Sequence, residues 1–203
     1  MRVLLLLAAA LPVFAAEPRI TFEKSFPGSV PAYVQVVVDK SGAAEYREDP
    51  KDDNPLKFQL KAGDTDTIFA LAEKLGYFNH PLEASVKVAF MGAKTFRYSD
   101  GTNPGREVKF NYSEDVDAKT LLDWFERISE SERNYIELER SVRFDKLGVQ
   151  DAILRIEVLR NQQRLVAEQQ FLPMLDRVQK NESFLHMARD RAAGLAESIR
   201  ASQ

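Results

Sequence analysis

The chain has 203 residues, 28 of them basic and 31 acidic, a formal net charge of −3 and no cysteine. Acids and bases are interspersed throughout, which excludes a basic stripe for nucleic acid and an acidic solvating arm. The missing thiols exclude disulfides, thiol catalysis, thiolate metal sites and a lipid-modified cysteine behind a leader.

Arg2, the apolar run from Val3 to Leu11, Pro12 and then Val13-Phe14-Ala15-Ala16 follow the layout of a cleavable secretory signal peptide. The run is too short to span a bilayer. Cleavage after Ala15 places Val13 and Ala15 at the selective positions, so residues 1–15 are expected to be removed. The mature protein is then periplasmic or secreted, with no membrane anchor. Without disulfides it must rest on an ordinary apolar core, for which about 190 residues suffice.

From Ile20 to Tyr112 the pattern has period two, with runs separated by Gly, Pro, Asn and Asp. Ile20 to Glu23, Tyr33 to Val38 and Ala43 to Arg47 read as strands, the last two joined by the turn Asp39-Lys40-Ser41-Gly42. Glu48 to Pro55 is an acidic loop, and Leu56 to Leu60 alternates again. The period then changes to that of a helix. Asp64 or Thr65 can cap it, Ile68, Phe69, Leu71, Ala72 and Leu75 form its stripe, and Gly76 ends it. Period two returns in Val86 to Phe90, Thr95 to Tyr98 and Val108 to Tyr112, with Met91-Gly92-Ala93 and Asp100-Gly101 as hairpin turns. About seven strands and one helix, with short connections, predict an antiparallel sheet covered on one face.

Beyond Asp115 the chain reads as helical. Leu121, Leu122, Trp124, Phe125 and Ile128 form a stripe expected to pack on the sheet. Ser129 to Asn134 interrupt it with polar residues, as a domain boundary or as part of a continuous exposed helix. Tyr135, Leu138, Val142 and Leu147 resume before a turn at Gly148. Ala152, Ile153, Ile156, Leu159 and Val166 make the next stripe, which Pro173 stops or kinks before Leu175 and Val178. Ser183 can cap a last helix carrying Leu185, Ala188, Ala192, Leu195 and Ile199. Such amphipathic helices must bury their stripes against one another, the sheet or a partner.

Candidate chemistry is sparse. His80 and His186 are the two histidines, so a multi-histidine metal site is excluded; each is more readily a surface or capping residue than a catalytic base. Asp49, Asp52, Asp53 and Asn54 offer oxygen ligands of the kind calcium takes, but not at EF-hand spacing, and a solvated acidic loop explains them. Asp123, Glu126, Glu130, Glu137 and Glu157 alternate with Arg127, Arg133 and Arg140 as on a solvated helix face. Trp124 and Phe125 suit core burial better than an exposed anchor. Asn111 and Asn181 stand in glycosylation sequons, relevant only in a eukaryotic secretory pathway. No residue is assigned a catalytic, cofactor-binding or metal-ligating role.

The turn Phe26-Pro27-Gly28-Ser29-Val30-Pro31-Ala32-Tyr33, between a Thr-Phe-Glu strand and a β-rich strand, resembles the opening of an uncharacterised family of secreted bacterial domains with a Cys-x-Gly-x-Cys-Pro-x-Tyr turn. Gly28, Pro31, Tyr33, Tyr77 and Phe78 match, while Phe26 and Val30 replace the two cysteines. The resemblance covers about residues 20–128. It implies export and a bacterial source but no activity; if the two cysteines form a disulfide in such relatives, an apolar contact would have to do the same local tethering here.

The expected architecture is α+β: an antiparallel sheet with a packed helix in residues 16–128, then a helical hairpin or small bundle in residues 129–203. The expected function is non-catalytic binding of a macromolecule, by a protein partner or self-association through the helical tail, with no nucleic acid. The alternative is an enzyme or small-ligand binder with a site between sheet and tail.

Overall fold

The computed structural model describes residues 17–101 and 105–202, so the predicted signal peptide lies outside the described residues. The fold is α+β. Strands β1 (Arg19–Ser25), β2 (Tyr33–Asp39), β3 (Ala43–Arg47), β4 (Leu56–Gln59), β5 (Ala93–Ser99) and β6 (Arg106–Phe110) form a six-stranded antiparallel sheet in the order β4-β3-β2-β1-β5-β6. In the β2–β3 turn the Asp39 carboxylate accepts from the Ser41 and Ala43 amides at 2.9 and 3.0 Å, while Gly42 takes φ +84°.

Period two places Ile20, Phe22, Val36, Val38, Tyr46 and Phe96 on one face, all buried. Phe22 lies opposite Val36 on one side and Phe96 on the other. The Phe96 ring is the centre of an aromatic cluster, with Phe22, Phe78, Phe110 and Phe125 at centroid distances of 5.7, 5.3, 5.1 and 5.8 Å. The opposite face is polar: Gln35 donates to Glu23 at 2.9 Å, and Arg97 reaches Glu23 at 3.8 Å and Glu107 at 2.5 Å.

Two helices cover the apolar face, α1 (Ala62–Lys74) and the first half of α2 (Val116–Phe144). Asp115 caps α2 by accepting from the Ala118 amide at 2.9 Å. The cap expected for α1 is not formed by Asp64 or Thr65. The helix begins earlier, at Ala62, and the Thr65 hydroxyl bonds back to the Lys61 carbonyl at 3.1 Å. After Gly76, at φ +59°, Tyr77 and Phe78 also stand left-handed at φ 52° and 67°. Ring packing offsets this strain, Tyr77 against Tyr98 at 4.3 Å and buried Phe78 against Phe96.

The strand expected over Val86 to Phe90 does not form, and Met91-Gly92-Ala93 is accordingly not a hairpin turn. This segment meets β6 only beyond its end, where Ala84 donates to the Tyr112 carbonyl at 2.8 Å. The Asn111 side chain then takes the ladder's place: it accepts from the Met91 amide at 2.6 Å and donates to the Ala89 carbonyl at 3.0 Å. Alternation without a neighbouring strand leaves Val86, Val88 and Phe90 exposed.

Helix α2 runs unbroken through Ser129 to Asn134. Its second half packs with α3 (Val149–Asn161), α4 (Leu172–Lys180) and α5 (His186–Ala201) around a second core of Leu138, Ile153, Ile156, Phe171, Leu175 and Ile199. Arg160 ties the far ends of α3 and α5, donating to the Ser198 hydroxyl at 2.6 Å and its carbonyl at 2.9 Å. Three expectations are corrected here. The stripe from Ala152 does not reach Val166, because α3 stops at Asn161 and Val166 joins the sheet's core. Pro173 accordingly sits in the first turn of α4, where its missing N–H costs nothing, rather than ending a preceding helix. Ser183 is not the cap of the last helix, which starts at His186 behind Leu185.

Candidate interaction surfaces and polar centres

The residues singled out in the sequence do not converge. His80 stands exposed with its Nδ1 3.1 Å from the Asn79 side-chain oxygen, and His186 is exposed beside Asp190, Nδ1 to Oδ2 at 2.5 Å. In the acidic loop, Asp49 and Asp52 accept from the Lys51 and Asn54 amides at 2.8 and 2.9 Å, and Asp53 and Asn54 are exposed. Among the described residues no group of three histidines or carboxylates is placed to hold a metal ion. Of the helix carboxylates, Glu126 faces Lys24 at 3.4 Å, Glu157 pairs with Arg191, and Glu137 is half-buried. Phe125 is fully buried, stacked on Phe22 at 5.1 Å, whereas Trp124 is partly buried beneath the Arg127 guanidinium, 4.2 Å from its ring. Asn181 accepts from the Ser183 amide at 2.9 Å in the turn before α5.

The Phe26–Tyr33 turn is not tethered by an apolar contact between Phe26 and Val30, since Val30 is 85% exposed. Hydrogen bonds hold it instead. The Ser29 hydroxyl lies 2.7 Å from the Phe26 carbonyl and 2.6 Å from the Pro31 carbonyl, and the Phe26 amide donates to Ala32 at 2.9 Å.

Between the two cores lies a polar centre that the sequence pattern presents as solvated helix. Ser131 and Glu132 are fully buried. The Ser131 hydroxyl accepts from the Val166 amide at 3.0 Å, and Glu132 Oε1 accepts from Gln170 at 2.7 Å. Glu132 Oε2 is buried with no hydrogen-bond partner among the described residues. Burial pushes this carboxyl up to about 8, against the opposing effect of the Gln170 bond. Just outside, Arg164 clamps the segment after α3 onto α2, donating to Glu130 at 2.7 and 3.1 Å and to Asp123 at 2.9 Å. These contacts use Asp123 and Glu130 as structural anions.

At the end of the helical region away from the sheet, two turns sit side by side, Lys146 lying 5.9 Å from the Phe184 ring. The α2–α3 turn is closed by Asp145, whose carboxylate accepts from the Gly148 amide at 3.1 Å; this tight closure turns Phe144 and Leu147 outward. They are 81% and 74% exposed. In the α4–α5 turn buried Phe184 anchors the chain, leaving Leu185 and Met187 exposed, the latter at 63%. The two neighbouring turns thus carry four exposed apolar side chains between them. No protein family, curated protein or solved structure matches the chain.

Proposed function

We propose that the protein is an exported, non-catalytic binding module that docks on another protein, or on a second copy of itself, through the free end of its helical bundle. The observation that carries this reading is the exposure of Phe144, Leu147, Leu185 and Met187 on two turns that meet at Lys146 and Phe184, since exposed apolar surface gathered at one place marks interaction sites. Export is supported by the leader pattern of residues 1–15. No helix of the described residues is long and apolar enough to cross a membrane.

The test is a cross-linking capture with residues 17–203, wild type against Phe144→Ser/Leu147→Ser. Because both side chains are exposed, the variant should unfold within about 0.5 kcal/mol of wild type. A partner that is identified, purified and bound by wild type but not by the variant supports the docking surface; equal binding by both refutes it. Light scattering over a concentration series separates the two occupants, since only self-association raises the mass of the isolated chain.

A further inference from the structure

Where the covered face of the sheet meets the first half of α2, apolar packing gives way to cations. Lys24 and Lys94 are direct cross-strand partners, next along the same face from the pair Phe22 and Phe96. Like charges so placed repel each other. Lys94 is 4% exposed, and its ammonium donates to the Met91, Gly92 and Asn111 carbonyls at 3.2, 3.2 and 2.7 Å. Burial, and after it the charge of Lys24, lowers its affinity for the proton. No carboxylate pairs with it among the described residues. Lys24 faces Glu126 at 3.4 Å, and both side chains are about one-third exposed. A long, partly exposed pair of this kind contributes no more than about 1 kcal/mol, so a competing anion displaces it at small cost.

Beside the pair a cavity of about 320 Å³ opens between β6 and α2, walled by Met91, Phe110, Ala118 and Leu122. Three lysines, Lys24, Lys94 and Lys119, are among its lining residues, with Glu126 as the one acidic residue. The Lys24–Glu126 pair is also the partition to a second cavity, of about 310 Å³, floored by Phe22, Phe26 and Val34. Both volumes lie at the small end of the range for small-molecule sites. Apolar walls beside unbalanced positive charge complement one kind of ligand, an anionic head on an apolar chain.

We propose that this groove binds an aliphatic monocarboxylate of medium chain length, its carboxylate replacing Glu126 at Lys24 and its chain lying on Met91, Phe110 and Leu122. Calorimetric titration of residues 17–203 with decanoate, decanol and acetate tests both halves of the recognition. Decanoate is expected to bind once per chain. Decanol lacks the charge and acetate the chain, and each should bind at least about tenfold more weakly. Lys24→Met should weaken decanoate about tenfold by removing the ammonium that receives the carboxylate. Met91→Glu should do likewise by adding a carboxylate at the mouth; Met91 is exposed, so this change does not threaten the fold. Equal affinity for decanoate and decanol, no binding up to the solubility limit, or unaltered binding by both variants overturns the proposal. Phe144→Ser/Leu147→Ser should keep full decanoate affinity, which separates failure of this site from failure of the docking surface.

Discussion

Replacing Glu132 with Gln is expected to stabilise the protein at neutral and alkaline pH and to destabilise it slightly in acid. The carboxyl titrates near 4.5 when solvated and at about 8 when buried in the native state, so folding takes up a proton between those values. Stability contributed by the neutral acid is therefore complete below pH 4.5, falls as pH rises towards 8, and is level beyond it. At about 1.4 kcal/mol per pH unit, the wild type loses about 3 kcal/mol by pH 7 and about 5 kcal/mol above pH 8. Tyr46 and Tyr135, the groups that interact with it electrostatically, stay neutral across this range and do not compensate. Gln at this position still accepts from Gln170 and has no proton to lose. Its amide leaves two buried N–H donors unpaired where the neutral acid leaves one hydroxyl, so below pH 4.5 the variant is expected to be less stable than wild type by about 1–2 kcal/mol. Urea unfolding followed by circular dichroism at about pH 5.5 and about pH 8.5 should show the advantage of the variant growing by about 3 kcal/mol. Parallel stability profiles, or a variant less stable than wild type at the higher pH, would refute the reasoning.

Phe96→Ala empties the centre of the aromatic cluster and should cost about 3–5 kcal/mol in the same assay; a loss below about 1 kcal/mol would mean that the four surrounding rings close the gap. Gly42→Ala places a Cβ 2.7 Å from Gln59 Nε2, 2.8 Å from Thr65 Oγ1 and 3.0 Å from the Leu60 carbonyl, at φ +84°. It should lower stability by at least about 1–2 kcal/mol, read as a drop in the urea midpoint with unchanged slope. Asp115→Ala removes the acceptor of the Ala118 amide and should cost about 1 kcal/mol, with Asp115→Ser restoring most of it.

The binary pattern was a sound guide wherever both faces of an element met the environment the pattern implies. Tyr33 to Val38 is β-branched and alternates in burial because one face of β2 is core and the other is half-exposed, and the stripe from Leu121 to Ile128 is apolar because it lies on that same core. The pattern failed where neighbours were supplied by distant chain. Val86 to Phe90 alternates as a strand would but has no ladder to join, because the Asn111 side chain already occupies the backbone groups of Ala89 and Met91. Glu132 falls in a polar run that reads as solvated, yet Gln170, 38 residues away, meets it in the interior. No local signal marks either site, since the deciding partner lies outside any window of periodicity.

By itself the sequence determined the α+β class, the β2–β3 hairpin and the helical character of the chain beyond Asp115, because these follow from periodicity and turn chemistry within a few residues. Only the tertiary structure decided that one 29-residue helix joins both cores, that Lys24 and Lys94 stand side by side beside an apolar cavity, and that exposed Phe144, Leu147, Leu185 and Met187 stand on two neighbouring turns. Each of these brings together residues from separate elements, and their proximity depends on how strands register and helices pack, which no single segment encodes.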